Sequence, residues 1–383
     1  MMFNSDIRSR LEGIRTPFYY YDMTVLDKAV GTVRDEAGRY GYKIHYALKA
    51  NANERILRMI ASAGFGADCV SGNEIKMALA CGFRAEDIVF AGVGKTDEEI
   101  LTGIQNDIFC FNVESAEEME VINRLSSLNN YTARIALRIN PNIEAFTHKY
   151  ITTGIEETKF GINSWDLDNV LEKLEGSANL RLIGLHFHIG SQIIRMSAFK
   201  SLCVRINEFQ EWFESRNVSI EHINVGGGLG INYEDPGEQA PFEKYFALFH
   251  ELLELRPEQT LHFEPGRSVT GQAGSLITRV LYVKKGSQRD FVVVDAGMTD
   301  LIRPALYQAH HKIENISSPE DPLKYDVVGP ICESSDSFGK YVELPATSRG
   351  DLLAIRSAGA YGEVMTSSYN LRDKAPSVFS TDI

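Results

Sequence analysis

The sequence is poor in the residues that staple small or secreted folds. Its 383 residues include five cysteines, Cys69, Cys81, Cys110, Cys203 and Cys332, an odd number with no C-x-x-C pair. That argues against a disulfide framework or a zinc knot. Each cysteine reads first as a small buried apolar residue. Positive charge is also in deficit: 39 Lys and Arg against 52 Asp and Glu leave a formal net charge of −13. An acidic surface repels nucleic acid and anionic lipid, so neither is expected as a partner. No run of about 18 apolar residues occurs, and the start, MMFNSDIRSRLEG, has no apolar signal core, so no membrane span and a cytoplasmic location are expected.

What is present is ordinary soluble composition, 44% apolar and 24% charged. At roughly 150 residues per domain the length implies two or three domains, or one large barrel with an addition. From 42 to 266 short apolar runs alternate with helix-period segments. The strand candidates are YKIHYAL (42–48), GADCV (66–70), DIVFAG (87–92), IFCFN (108–112), ARIALRI (133–139), LIGLHFHI (182–189), EHINVG (221–226) and LHFEPG (261–266). Between them, ERILRMIASA (54–63), SAEEMEVINRL (115–125), FKSLCVRINEFQEWFES (199–215) and PFEKYFALFHELLEL (241–255) place apolar residues at i, i+3, i+4 and i+7. Eight strand–helix units of about 28 residues favour an α/β fold, a (β/α)8 TIM barrel, over a doubly wound open sheet. After 266 the strand-like runs 275–285, 290–297, 325–331 and 351–361 are separated by Gly, Pro, Ser and Asp turns, which reads as a C-terminal all-β domain. The run TPFYYYD (16–22) precedes the first barrel strand by a whole helix, about 24–40, and is assigned to that β-domain. The expected domains are 27–266 for the barrel and 1–26 with 267–383 for the β-domain.

A (β/α)8 barrel carries its chemistry at the C-terminal ends of its strands. The polar residues there are Lys49, Asp68, Arg138, His186, His188, Ser191, Gly226-Gly227-Gly228, and Glu264 followed by Gly266-Arg267. Three glycines between a strand and a helix leave backbone N–H groups bare for a phosphate, or simply make a tight turn. Arg267 adds a cation suited to phosphate or carboxylate. Lys49 at an apolar strand end is either a surface lysine or an amine activated by desolvation for attack on a carbonyl. An imidazole such as His188 can stack on a flat ring, and a carboxylate such as Glu264 can keep a pyridine nitrogen protonated. Together these are the needs of pyridoxal phosphate. His186 and His188 on one strand could begin a zinc site, but His45 and His262 lie within strands, so no metal is expected. Gly94-Lys95-Thr96 resembles the end of a Walker A loop, but Val89 stands where the first glycine is required.

Nine segments in order carry a family resemblance: YALKAN (46–51), SGNE (71–74), THKYITTGIEETKFGI (147–162), HFHIGSQ (186–192), NVGGGLGINY (224–233), FEPGRS (263–268), DAGMTDLIRPALYQAHH (295–311), VVGPICESSDSFG (327–339) and GAYGEVMTSSYN (359–370). The chain resembles the diaminopimelate decarboxylases, within the alanine racemase-like (fold type III) pyridoxal phosphate enzymes. The resemblance implies decarboxylation of meso-2,6-diaminopimelate to L-lysine by a barrel and a β-domain. It implies that Lys49 holds the cofactor as a Schiff base, His188 stacks on its ring and Glu264 faces the ring nitrogen. Gly227, Gly228, Gly266, Arg267, Ser191 and Tyr361 would surround the phosphate; Asp68 and Arg138 are counted with the cofactor-binding residues. Arg267, Arg303, Tyr307, Glu333 and Tyr361 match substrate-binding positions, and Cys332 matches the proton donor. Cys332 and Glu333 would come from the other subunit of a homodimer with shared active sites. The rivals are a sister decarboxylase for carboxynorspermidine, ornithine or arginine, a racemase of the same fold, and an inactive regulatory homologue. Arg303 argues against simple diamine precursors, Glu264 against a racemase, and Lys49 with Cys332 against an inactive relative.

Overall fold

The computed structural model describes residues 3–143 and 159–383, so most of the motif at 147–162 lies outside the described residues. The chain divides into two compact units. The barrel unit comprises Val30–Gly230 and Pro241–Gly266; the sheet unit comprises Met1–Ala29, Ile231–Ala240 and Arg267–Ile383.

Strand β1 (Phe18–Tyr21) belongs to the sheet unit and is followed by a helix, Met23–Gly38. Then come β2 (Lys43–Ala47), β3 (Gly66–Cys69), β4 (Ile88–Phe90), β5 (Cys110–Val113), β6 (Ala133–Arg138), β7 (Leu180–His186), β8 (His222–Asn224) and β9 (Thr260–Phe263). They pair in that order, all parallel, and β9 closes on β2. All eight strands overlap the runs read from the sequence, with β5, β7 and β9 reaching one or two residues beyond them. β3, β4 and β5 are buried along their whole length, as strands walled by helices must be. Side-chain caps launch the helices after β2 to β5: Asn53, Ser71, Thr96 and Ser115 each accept a backbone N–H of the first turn, and Thr96 with Glu99 forms a full capping box. On the outer wall, helix Phe242–Leu252 packs Tyr245, Phe246 and Phe249 around Phe263 of β9, with ring centroids 4.9 to 5.5 Å apart.

The sheet unit contains β10 (Gly274–Lys284), β11 (Asp290–Val294), β12 (Ile313–Asn315), β13 (Pro322–Val328), β14 (Ser337–Pro345), β15 (Leu352–Ile355) and β16 (Ser377–Phe379). Its main order is β12-β15-β10-β11-β13-β14. β1 pairs antiparallel with β10 and parallel with β16, as its assignment to the β-domain required. Phe18 and Tyr20 pack with Phe3, Leu11, Ile277 and Leu352, which explains why this strand is so aromatic. The helix Ser5–Glu12, capped by Asn4, and strands β12, β14 and β16 were not anticipated. β12 and β16 span three residues each, and β14 alternates buried and exposed positions poorly.

Candidate active site

In the barrel unit, the strand ends bring Lys49, Asp68 and Glu264 into one electrostatic cluster. Lys49 sits on a single 3₁₀ turn, Leu48–Ala50, directly after β2, and its ammonium donates to Asp68 Oδ2 at 2.6 Å. Asp68 is fully buried, and its Oδ1 has no hydrogen-bond partner among the described residues. Burial and the nearby Glu264 charge push the Asp68 carboxyl up to about 7, against the pull of Lys49. Glu264 follows β9 and is also buried. One oxygen accepts the amides of Asn224 at 2.7 Å and Asn112 at 3.3 Å, and the other faces His186 Nε2 at 3.0 Å. Burial opposes charge on Glu264, but His186, Lys49 and His188 outweigh it and hold the carboxyl well below its usual range. The mouth therefore sets an ionised carboxylate near one that holds its proton to neutral pH.

His188 is half-buried just beyond β7. Burial first, then the cations Arg138 and Lys49, hold its imidazole well below its ordinary value. Its Nδ1 accepts the Gly227 N–H at 3.3 Å, so the ring is neutral with its proton on Nε2. Of the three glycines read as a phosphate nest or a tight turn, two have N–H groups that are not bare: Gly227 donates to His188, and Gly226 donates to Asn224 Oδ1 at 2.9 Å. What the glycines provide is close approach. A Cβ on Gly227 would lie 2.3 Å from the Glu264 carbonyl oxygen, and Gly228, at φ +105°, would put one 2.7 Å from the Gly190 carbonyl. A Cβ on Gly266 would lie 2.8 Å from the Ala50 Cβ and 3.1 Å from the Ala47 Cβ. Ser191 lies half-buried in the loop after β7. Arg138, the last residue of β6, is buried against Glu114 at 2.5 Å.

In the sheet unit, Arg267 Nη1 donates to the Tyr233 hydroxyl at 2.8 Å, and its guanidinium lies 4.8 Å from the Tyr361 ring centroid. Arg303 opens a short helix, Arg303–Tyr307, with its guanidinium 5.6 Å from the Tyr233 ring and 5.9 Å from the Tyr307 ring. Its Nε donates to His311 Nε2 at 3.3 Å. His311 donates through Nδ1 to the Arg356 carbonyl at 2.8 Å, and burial pushes its pKa down to about 3, so it is a neutral acceptor. Two cations thus share an aromatic cage suited to a carboxylate. Cys332 and Glu333 are exposed on a turn pinned by Asp336, whose carboxylate accepts the N–H groups of Ile331 at 2.7 Å and Met298 at 2.6 Å. The other four cysteines are buried.

Residues 26–271 match the family model described as "Pyridoxal-dependent decarboxylase, pyridoxal binding domain". The chain belongs to the pyridoxal-dependent decarboxylases. Within that family it is 56% identical over 372 residues to the diaminopimelate decarboxylase of Bacteroides thetaiotaomicron, covering 96% of each chain. It is 40% identical to that of Pseudomonas aeruginosa, over 96% of this chain and 88% of the relative. A crystal structure of the Helicobacter pylori diaminopimelate decarboxylase complexed with L-lysine superposes with a TM-score of 0.92 at 39% identity, covering 98% of this chain and 94% of that one.

Sequence reasoning missed five residues of these clusters: Asn112 and Asn224 on Glu264, Glu114 on Arg138, and Tyr233 and His311 beside Arg267 and Arg303. An asparagine inside an apolar strand run, as in IFCFN and EHINVG, is the signal that could have found the first two, because a buried amide needs a partner.

Proposed function

We propose that this protein decarboxylates meso-2,6-diaminopimelate to L-lysine and carbon dioxide, with pyridoxal 5'-phosphate as cofactor. The reading is carried by the buried, ionised Glu264 in reach of Lys49, in a chain 56% identical over nearly its whole length to a diaminopimelate decarboxylase. The donor set fits the cofactor: a lysine amine for its aldehyde, an ionised carboxylate for its ring nitrogen, and two buried side-chain atoms without a hydrogen-bond partner among the described residues, Asp68 Oδ1 and His186 Nδ1. When bound, pyridoxal phosphate supplies an electron sink for the pair released as the α-carboxylate departs.

The chain's own residues do the rest. Lys49 offers the amine that holds the cofactor, and Asp68 holds a proton beside its Nζ. His186, Asn112 and Asn224 keep Glu264 ionised and fixed. Neutral His188 presents a flat imidazole. Arg138, Ser191, Gly227, Gly228, Gly266, Arg267 and Tyr361 complete the cofactor's surroundings. Arg303, Tyr307 and Glu333 recognise the distal amino-carboxylate end, which carries both signs of charge. The Cys332 thiol delivers the proton to Cα. Exposure of Cys332 and Glu333 supports their service to a partner subunit in a homodimer. We infer domains of 27–266 and 1–26 with 267–383, from which the compact units differ at 27–29 and 231–240, and a cytoplasmic location; among the described residues no helix is long and apolar enough to cross a membrane.

The test is to incubate the purified protein with pyridoxal phosphate and, separately, diaminopimelate, ornithine and arginine, measuring carbon dioxide and product. Lysine from diaminopimelate is expected as the main product. Preference for ornithine or arginine would overturn the substrate assignment.

A further inference from the structure

At the ends of β4, β5 and β6 the barrel unit buries a second charged cluster. The Lys95 side chain is 1% exposed. Its ammonium donates to the carbonyls of Gly92 at 2.8 Å and Asn112 at 2.9 Å, and to Glu118 Oε1 at 2.6 Å. The other Glu118 oxygen accepts the backbone N–H of Glu114 at 2.7 Å. Glu114 Oε1 accepts Arg138 Nη1 at 2.5 Å and the Gly92 N–H at 3.1 Å, and its Oε2 accepts the Gly161 N–H at 2.9 Å. Four charged side chains are therefore linked in the order Lys95, Glu118, Glu114, Arg138, with a cation at each end and the two carboxylates joined through the Glu114 backbone N–H.

Stability alone is a weak reason for such a cluster. Burying each ion costs several kcal/mol, and apolar residues of similar volume commonly serve the fold as well or better. What four interlocked charges supply is a fixed direction for the last of them. Burial opposes charge on Glu114, but Arg138 and Lys95 outweigh it, so its carboxylate is ionised. The Arg138 guanidinium in turn helps keep His188 neutral. The same cluster reaches Glu264, because Asn112, whose carbonyl Lys95 holds, donates its amide to that carboxylate.

We propose that Glu114 is a positioning residue: its carboxylate sets the Arg138 guanidinium at the barrel mouth for the cofactor, and Lys95 with Glu118 holds Glu114 in place. This rests on the assignment of Arg138 to cofactor binding made above. The geometry is one of transmission through a charged, multiply bonded side chain, the arrangement that orients ligating groups in metal sites.

The test is a double-mutant cycle read by cofactor affinity. Full-length protein is stripped of cofactor by dialysis against cysteine and titrated with pyridoxal phosphate, as wild type, E114Q, R138M and E114Q/R138M, with thermal melts of each cofactor-free form. E114Q is expected to weaken cofactor binding about tenfold. R138M should weaken it at least as much, and the double variant should be no weaker than R138M. Wild-type affinity in E114Q beside a weak R138M would overturn this inference and leave the cofactor reading intact. So would a melting temperature lowered without loss of affinity, or an E114Q loss that adds in full to that of R138M. Wild-type affinity in R138M would overturn the assignment of Arg138 itself. If E114Q does not fold, E114D replaces it in the same cycle, with a smaller loss expected and the same outcomes decisive.

Discussion

The barrel buries imidazoles at both of its ends, and the two groups are built differently. Where the strands begin, His45, His262 and His222 lie in one hydrogen-bonded chain. The Asp87 carbonyl can only accept, so His45 donates to it through Nδ1 at 2.9 Å. His45 Nε2 then accepts from His262 Nδ1 at 2.8 Å. His262 Nε2 accepts the Thr260 hydroxyl at 2.8 Å, and that hydroxyl accepts from His222 Nδ1 at 2.6 Å. Every bond fixes the direction of the next, with all three rings neutral and burial lowering all three pKa values. Where the strands finish, His186 and His188 sit among Lys49, Asp68, Glu264 and Arg138, and Asp68 Oδ1 and His186 Nδ1 are left without a partner among the described residues. The base satisfies its polar groups internally and serves stability. Under the proposed function the mouth leaves charge and hydrogen-bonding capacity to the cofactor, and it is at such sites that local rules of folding are broken.

Variants can sharpen or break that contrast. At the mouth, E264Q should slow carbon dioxide release by on the order of 10²–10³-fold, since it removes a fixed charge aimed at the reacting system; a steady-state assay with diaminopimelate checks it, and wild-type turnover would remove Glu264 from the chemistry. C332A should lower kcat by about 10²-fold with little change in KM, the signature of a lost proton donor. At the base, H262Q should leave kcat unchanged and cost about 1–3 kcal/mol in urea unfolding, because it breaks a relay of buried donors and acceptors. An activity loss as large as that of E264Q would erase the contrast.

The smallest effect is in pH dependence, where the base imidazoles and Asp68 at the mouth have opposite signs. The base imidazoles bind fewer protons folded than unfolded, so their stability is complete above about pH 6.5 and is lost as pH falls below it. Lys43, Asp87, Glu221, Arg181 and Glu264 face this group and set the size of the effect. Asp68 is raised to about 7, so it binds more protons folded than unfolded, and its contribution is lost as pH rises from about 4 through 7. Melting temperatures between pH 4 and 8 should therefore rise less steeply with pH in H262Q than in wild type, and more steeply in D68N.

The barrel was legible because each buried strand and amphipathic helix writes its period locally. Lys49, His188 and Glu264 could be proposed as site residues because a polar residue at the end of an apolar strand is conspicuous. Asn112 was not, because its partner lies 152 residues away. The tie of Glu114 to Arg138 spans 24 residues and was equally invisible, and Lys95 read only as a failed phosphate loop. Cys332, Glu333 and Tyr361 were reached only through family resemblance, since nothing in their spacing marks an exposed turn as chemistry. The histidine chain at the base shows a further limit: His45 and His262 were set aside as ligands because they lie within strands, but their bonds to each other, to Thr260 and through it to His222 were invisible.

The most direct measurement is the visible absorbance of the K49A variant reconstituted with pyridoxal phosphate, beside its thermal melt. The account predicts that the band seen for cofactor joined to wild-type protein is absent while the melt shows a folded protein. A normal band in folded K49A would contradict the placement of the site at this mouth.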